Sequence, residues 1–291
     1  MPRPEPGAAL TLEADLPLAD TLRRHWPEYA IEAGFLAVFL LCGGLVTAWA
    51  SLGADAFPSD PAIRRGLAGL ATGLVLIAMI YSPWGRRSGA HLNPAITLAY
   101  WRLGKVGRWD GLFYLLSQVG GSLVAIYLLR RGALLPANLP RSLLAASTAP
   151  SNEWSAALTA FVLSATAMLL ILFTSNHVSW FRWTGLLYGL LVMLVVACAA
   201  PLAGFGMNVA RLFAVDISGN AGIVQWLNLL PPLLGMPAAV EAYRLFTGRR
   251  QVLCAKLAHN THGRCIFRCQ HPYQARALAM EAIKRRAQAR D

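Results

Sequence analysis

The sequence predicts an all-α membrane protein with six transmembrane helices and two re-entrant half-helices in an inverted repeat. Composition predicts the membrane class, because 56% of the 291 residues are hydrophobic and only 14% are charged, against about 25% charged residues in soluble domains. The grouping of the apolar residues predicts the number of spans. A short motif that occurs once in each half of the chain predicts the half-helices.

The apolar residues form six blocks, most of them near or above the ~18–20 residues that cross a bilayer as a helix. The blocks are residues 29–52, 66–83, 111–129, 154–174, 183–203 and 221–243. The first 28 residues hold five prolines and no apolar signal-peptide core. We therefore expect a polar lead-in over 1–28, a membrane domain over 29–247 and a basic tail over 248–291.

The net charge of +12 is concentrated in the tail. Basic tails can bind nucleic acid, but in a membrane protein positive charge marks the cytoplasmic side and contacts anionic lipid. With six spans, both termini are then cytoplasmic, in the plasma (inner) membrane, and no nucleic-acid partner is expected. Aromatic residues near the span ends, Tyr29 and Trp180 among them, are expected in interfacial belts.

A motif repeats between the two halves: "SGAHLNPAITLAYW" (88–101) aligns with "AGFGMNVARLFAVD" (203–216). Each copy follows the second span of a three-span half. Because three spans are an odd number, the second half is inverted relative to the first. A nine-residue helix after each asparagine covers about half a bilayer, so the two half-helices enter from opposite faces and meet near the midplane.

The chemistry of these segments favours a passive channel. Asn93 and Asn208 are suited to cap the half-helices, and Pro94 fits the first helical position. Side-chain amide donors and the positive ends of two helix dipoles would face a pore. There they would repel cations but donate hydrogen bonds to neutral hydroxyl-bearing solutes. The sequence shows no Ser–His–Asp set, paired carboxylates or nucleotide-binding loop, so neither an enzyme nor a cofactor is expected.

These motifs resemble those of the aquaporin and glycerol-facilitator (major intrinsic protein) family over residues 30–246. "SGAHLNPA" resembles the first signature loop of the family, and "GFGMNVAR" resembles the second with Val209 in place of proline. "IEAGFLAVFL", with Glu32, resembles the first-span pattern. The resemblance implies an aquaporin-like channel domain, a homotetramer with one pore in each protomer, and contact with membrane lipid.

The resemblance also assigns roles to individual residues. Glu32 and His91 brace the loops, and Glu153 lies close to, but several residues before, the buried glutamate usual in the fourth span. Val196 and either Thr72 or Gly73 take filter positions that carry histidine and a bulky aromatic in water-selective members. We therefore expect a channel for water and small neutral solutes such as glycerol, urea or peroxide. The pore residues implied in this way are Asn93, Pro94, Ala95, Asn208, Val209, Ala210, Arg211, Val196, Phe205, Thr72 and Gly73.

The tail leaves two alternatives open. Its cysteines and histidines have the chemistry of a site for zinc or another soft metal, although their spacing matches no standard finger. A basic, disordered or lipid-facing tail with reduced thiols is the other interpretation. The corresponding alternative function is an integral membrane sensor with a vestigial pore and a metal- or redox-responsive tail. The candidate ligands are Cys254, His259, His262, Cys265 and Cys269.

Overall fold

The structure is a computed structural model that describes residues 16–51, 60–131, 153–177, 179–199, 206–218, 226–247, 252–259 and 265–270. Within these ranges every regular element is helical. A 3₁₀ turn, Phe181–Trp183, precedes the helix Thr184–Leu194, and a π-helical turn, Val195–Ala199, follows it. The helices are α1 Leu18–Ser51, α2 Pro61–Tyr81, α3 Pro83–Ser88, α4 Pro94–Arg102, α5 Arg108–Arg131, α6 Glu153–Ser175, α7 Thr184–Leu194, α8 Val209–Ile217 and α9 Trp226–Thr247.

Five of the described helical segments are long and apolar enough to cross a membrane: α1, α2, α5, α6 and the segment Phe181–Ala199 that contains α7. The sixth long helix, α9, contains three prolines and is not among these five. The helices α4 and α8 have nine residues each, about half a bilayer in length. Together they form the predicted all-α membrane fold with six long helices and two half-helices.

The first helix begins at Leu18, inside the segment expected to be a polar lead-in. The buried side chains of its first turns are polar, including Thr21, His25 and Glu28. Hydropathy therefore does not reveal this part of the helix. Tyr29, expected in an interfacial belt, is buried instead and donates a hydrogen bond to Asp110 Oδ1 at 2.6 Å.

The two halves pack in corresponding pairs. Helix α1 lies against α5, and its counterpart α6 lies against α9. In both pairs a glycine permits backbone contact, because an added Cβ would lie 2.2 Å from Ala33 O at Gly121 and 2.5 Å from Phe161 O at Gly235. Small residues at such crossings allow membrane helices to approach closely. Helices α2 and α7 also pack against each other.

The half-helices occupy corresponding places in this frame. Both α4 and α8 pack against α5 and α9, and they also contact each other. Each starts at one of the repeated asparagines. The inverted repeat therefore brings two helix N-termini together inside the bundle.

Candidate functional site

The two repeated asparagines cap the half-helices. Asn93 Oδ1 accepts a hydrogen bond from Ala95 N at 3.0 Å at the start of α4. Asn208 Oδ1 accepts from Ala210 N at 3.1 Å and from Arg211 N at 3.4 Å at the start of α8. These bonds satisfy backbone N–H groups that have no acceptor within the helix.

The side-chain nitrogens of the same asparagines join the two half-helices. Asn93 Nδ2 donates to Met207 O at 2.8 Å, and Asn208 Nδ2 donates to Leu92 O at 2.7 Å. Each acceptor is the residue directly before the other asparagine. Because a carboxamide nitrogen carries two hydrogens, one holds the side chain in place and the second can serve a solute in the cavity that both asparagines line.

Val209 contributes a contact that proline cannot make. Its backbone N–H donates to Asn93 Oδ1 over a long distance of 3.5 Å, and proline has no N–H. The departure from the usual second motif therefore adds a hydrogen bond between the two caps.

The segment between α3 and α4, residues 89–92, is called the pore loop here. Three of its residues have positive φ: Gly89 at 98°, Ala90 at 54° and Leu92 at 48°. For Ala90 and Leu92 this conformation is strained. The surrounding contacts must therefore hold the loop in place.

Glu32, fully buried on α1, supplies those contacts. Its Oε1 accepts from Ser88 Oγ at 2.8 Å and from His91 N at 3.1 Å. Its Oε2 accepts from Leu92 N at 2.8 Å and from Gln118 Nε2 at 2.9 Å. A carboxylate that accepts four hydrogen bonds can fix both a strained loop and a neighbouring helix.

His91 is buried and connects the pore loop to α4 and to the basic tail. Its Nε2 lies 2.8 Å from Ala255 O, which can only accept, so Nε2 carries the proton. Its Nδ1 then accepts from Thr97 Oγ1 at 3.0 Å. The ring is stacked between Tyr100 and Phe267, with centroids 5.3 Å from each.

A cavity of about 150 Å³ lies beside the caps. Much of its wall is apolar, with side chains from α1, α5 and α7. The polar side chains that also line the cavity are called the polar strip here. A mostly apolar wall with a few polar groups is the usual pattern of a small-molecule site. The strip consists of Thr72, His91, Asn93, Asn208 and Arg211.

Five of the eleven predicted pore residues line this cavity, the two asparagines among them. Thr72 and Val196 line it together with Arg211, and Val196 lies in the π-helical turn. Gly73 instead packs against Gly189 and Met193, where it permits the close crossing of α2 and α7. Pro94, Ala95, Val209 and Ala210 are buried beside the caps.

Three other residues singled out in the sequence have different outcomes. Phe205 and His262 lie outside the described residues. Glu153 is exposed at the start of α6.

Gln118 and Thr97 were not predicted as site residues, yet both are fully buried and hydrogen-bonded to each other at 3.2 Å. A polar side chain inside an apolar span is a signal that could have identified Gln118.

The described part of the tail, residues 252–259 and 265–270, is called the tail segment here. It packs against the pore loop rather than facing lipid. Leu257 N donates to Gly89 O at 3.1 Å, and an added Cβ at Gly89 would lie 2.8 Å from Phe267. Leu253 N also donates to Asn176 Oδ1 at 2.6 Å, next to the end of α6.

A second set of contacts fastens the tail segment to the connection between α4 and α5. Arg268 N donates to Lys105 O at 3.0 Å, and Lys105 Nζ donates to Gln270 Oε1 at 3.2 Å. Burial lowers the pKa of Lys105 from its ordinary value, while Cys254 and Cys269 oppose that shift. Burial likewise raises the pKa of the Cys254 thiol well above its ordinary value.

Comparisons with known proteins identify the family of the chain. The model of the family "Major intrinsic protein" matches residues 25–243. Aquaporin A from Dictyostelium discoideum is 31% identical over 222 residues, which cover 75% of this chain and 77% of the relative. The propanediol uptake facilitator PduF of Salmonella typhimurium is 29% identical over 195 residues, covering 56% of this chain and 74% of the relative.

A solved structure supports the fold. The aquaglyceroporin from Plasmodium falciparum superimposes with a TM-score of 0.55 at 19% identity, covering 75% of this chain and 95% of that one. The family match, the six long helices and the two capped half-helices agree. The chain therefore belongs to the major intrinsic protein family and is an integral membrane channel for water or small solutes, not an enzyme.

Proposed function

We propose that this channel conducts small neutral solutes, such as glycerol, urea or peroxide, in addition to water. The observation that carries the proposal is the wall of the cavity, where Thr72 and Val196 accompany Arg211. By the resemblance, water-selective members carry a bulky aromatic and a histidine at these two positions. Replacing them with a small and an apolar side chain widens the passage and removes a polar partner of water.

The proposed mechanism is passive permeation along the polar strip. A solute exchanges its hydrogen bonds with water for bonds to the second N–H of Asn93 and Asn208 and to the Arg211 guanidinium. The N-termini of α4 and α8 add positive electrostatic potential at the same place. Cations, including protons, are therefore repelled, whereas neutral hydroxyl or amide groups pass.

The relatives support a range of solutes rather than one. One is named as a propanediol uptake facilitator, and the structural neighbour is described as an aquaglyceroporin. Others are named as aquaporins. For this chain, glycerol and urea are thus natural first solutes to test.

The test is stopped-flow light scattering on proteoliposomes with water, glycerol and urea. The wild-type protein should pass all three above the rate of empty vesicles. Val196→His should reduce glycerol and urea flux by about tenfold or more while water flux persists, since ~1.4 kcal/mol of added barrier gives a tenfold change. Val196→Leu, which stays apolar, is the control for side-chain size.

Two results would count against the proposal. Wild-type vesicles that pass water but exclude glycerol, urea and, in a separate uptake assay, peroxide would indicate a water-selective pore. Flux no higher than in empty vesicles would favour the alternative function, a membrane sensor with a vestigial pore.

We also propose that the chain forms a homotetramer with both termini in the cytoplasm, in the plasma (inner) membrane. The tetramer is carried over from the family resemblance, and the orientation is supported by the basic tail. The mass of the detergent-solubilised assembly tests the first proposal, and the sidedness of the termini tests the second.

A further inference from the structure

Four potential metal ligands converge in the tail segment. The ligand atoms of Cys254, His259, Cys265 and Cys269 all lie within 4.8 Å of one another. Cys254 Sγ is 3.6 Å from Cys265 Sγ, and His259 Nε2 is 2.9 Å from Cys269 Sγ. All the cysteines of the chain are described, and none forms a disulfide.

These distances fit a four-coordinate metal site. With a Zn–S bond of about 2.3 Å, two thiolates of a tetrahedral site lie about 3.8 Å apart, close to the 3.6 Å separation of the first pair. The second pair needs to open by about 0.6 Å to reach the corresponding N–S separation of about 3.5 Å. Three thiolates with one imidazole form a closed ligand set of the kind that binds structural zinc.

The surroundings suit the charge of such a site. Three thiolates and one Zn²⁺ leave one net negative charge. The Lys105 ammonium lies close enough to Cys254 and Cys269 to interact with them electrostatically, and Arg268 directly precedes Cys269. A metal–thiolate centre would therefore carry its negative charge near the Lys105 ammonium.

We propose that Cys254, His259, Cys265 and Cys269 bind one Zn²⁺ or a similar thiophilic divalent cation, which holds the tail segment against the pore loop. Binding forms three metal–sulfur bonds and one metal–nitrogen bond, and the three thiols release three protons to solvent. No electron transfer is involved.

The positions of the four ligands explain why the metal would hold the tail segment against the pore loop. Ala255 accepts the hydrogen bond from His91 and directly follows Cys254. Leu257 donates a hydrogen bond to Gly89 and lies two residues before His259. Phe267, which stacks on His91, lies midway between Cys265 and Cys269. The metal would thus fix the three tail residues that touch the pore loop, and His91 itself lines the cavity.

The experiment uses the full-length protein without a histidine tag, purified in detergent under a reducing agent. After metal removal, Zn²⁺ should bind at one equivalent per chain and raise the thermal unfolding temperature. Co²⁺ should give thiolate charge-transfer and tetrahedral d–d bands that Zn²⁺ abolishes, because zinc binds such sites more tightly. Cys265→Ser or Cys269→Ser should weaken Zn²⁺ binding by about 100-fold.

Cys42→Ser and Cys198→Ser are matched controls, since these cysteines lie on the membrane helices, and both variants should bind Zn²⁺ like the wild type. A readout without any variant is alkylation of the wild-type protein mapped by mass spectrometry. Zn²⁺ should protect Cys265 and Cys269, which are partly exposed, and leave the reactivity of Cys42 and Cys198 unchanged.

Three results would overturn the site. They are binding well below one equivalent, alkylation that Zn²⁺ does not alter, and a Cys254–Cys265 disulfide that persists under the reducing agent. None of these measurements depends on solute flux. The metal site can therefore fail while the channel function stands, and the reverse is equally possible.

Discussion

At the scale of single residues, Glu32 holds the pore loop in its strained conformation. Its two oxygens accept four hydrogen bonds from the pore loop, Ser88 and Gln118. We predict that Glu32→Gln destabilises the protein by about 3 kcal/mol, because an amide NH₂ would then face two donors and leave them unsatisfied. A fall in the thermal unfolding temperature together with loss of solute flux is the expected measurement.

Glu153→Gln is the control for this prediction. It makes the same chemical change at an exposed carboxylate and should alter stability by no more than about 0.5 kcal/mol. If Glu32→Gln unfolded at the same temperature as Glu153→Gln, the hydrogen bonds accepted by Glu32 would contribute little to stability.

The sequence revealed the local chemistry of the site but not its long-range partners. Asn93 and Asn208 were identifiable because a cap acts on N–H groups two or three residues away. The bond from Asn93 Nδ2 to Met207 O joins residues 114 positions apart. Such a contact depends on the packing of both halves, which no short motif encodes.

At the scale of helices, the bundle depends on close backbone contacts at glycine. We predict that Gly121→Ala destabilises the protein by about 1–3 kcal/mol. Its Cβ would lie 2.2 Å from Ala33 O, a backbone atom that cannot turn away. Thermal unfolding in detergent measures the change.

The neighbouring Gly120 provides the control, because a Cβ there has no heavy atom within 4 Å. Gly120→Ala should leave stability unchanged or raise it by up to about 1 kcal/mol, through the higher helix propensity of alanine. Equal effects of the two substitutions would contradict the proposed role of the close contact between α1 and α5.

Helix boundaries were predictable only where burial follows hydropathy. The apolar blocks predicted all six long helices, but α1 starts well before its block, at Leu18, because its first buried residues are polar. His25 Nδ1, for example, lies 2.7 Å from Asp110 Oδ1 on α5. An average of hydropathy over a window of the sequence treats such polar residues as exposed, although they are paired inside the protein.

At the scale of the whole molecule, the first and last described parts of the chain lie at the same end of the bundle. The start of α1 contacts Asp110 at the start of α5, and the tail segment contacts Lys105 just before that helix. An even number of spans predicts the same topology from the sequence. The packing of the tail segment against the pore loop could not be predicted in this way, because that surface exists only after the loop is folded.

This arrangement predicts that residues 1 and 291 lie on one side of the membrane, and the basic tail predicts that this side is the cytoplasm. Protease-cleavable tags fused at the two termini should both be cut in inside-out vesicles and protected in right-side-out vesicles. The control is the same tag inserted in residues 132–152, between the third and fourth spans, which should give the opposite pattern. Terminal tags cut on opposite sides would contradict the six-span topology, and tags both cut only in right-side-out vesicles would reverse the orientation.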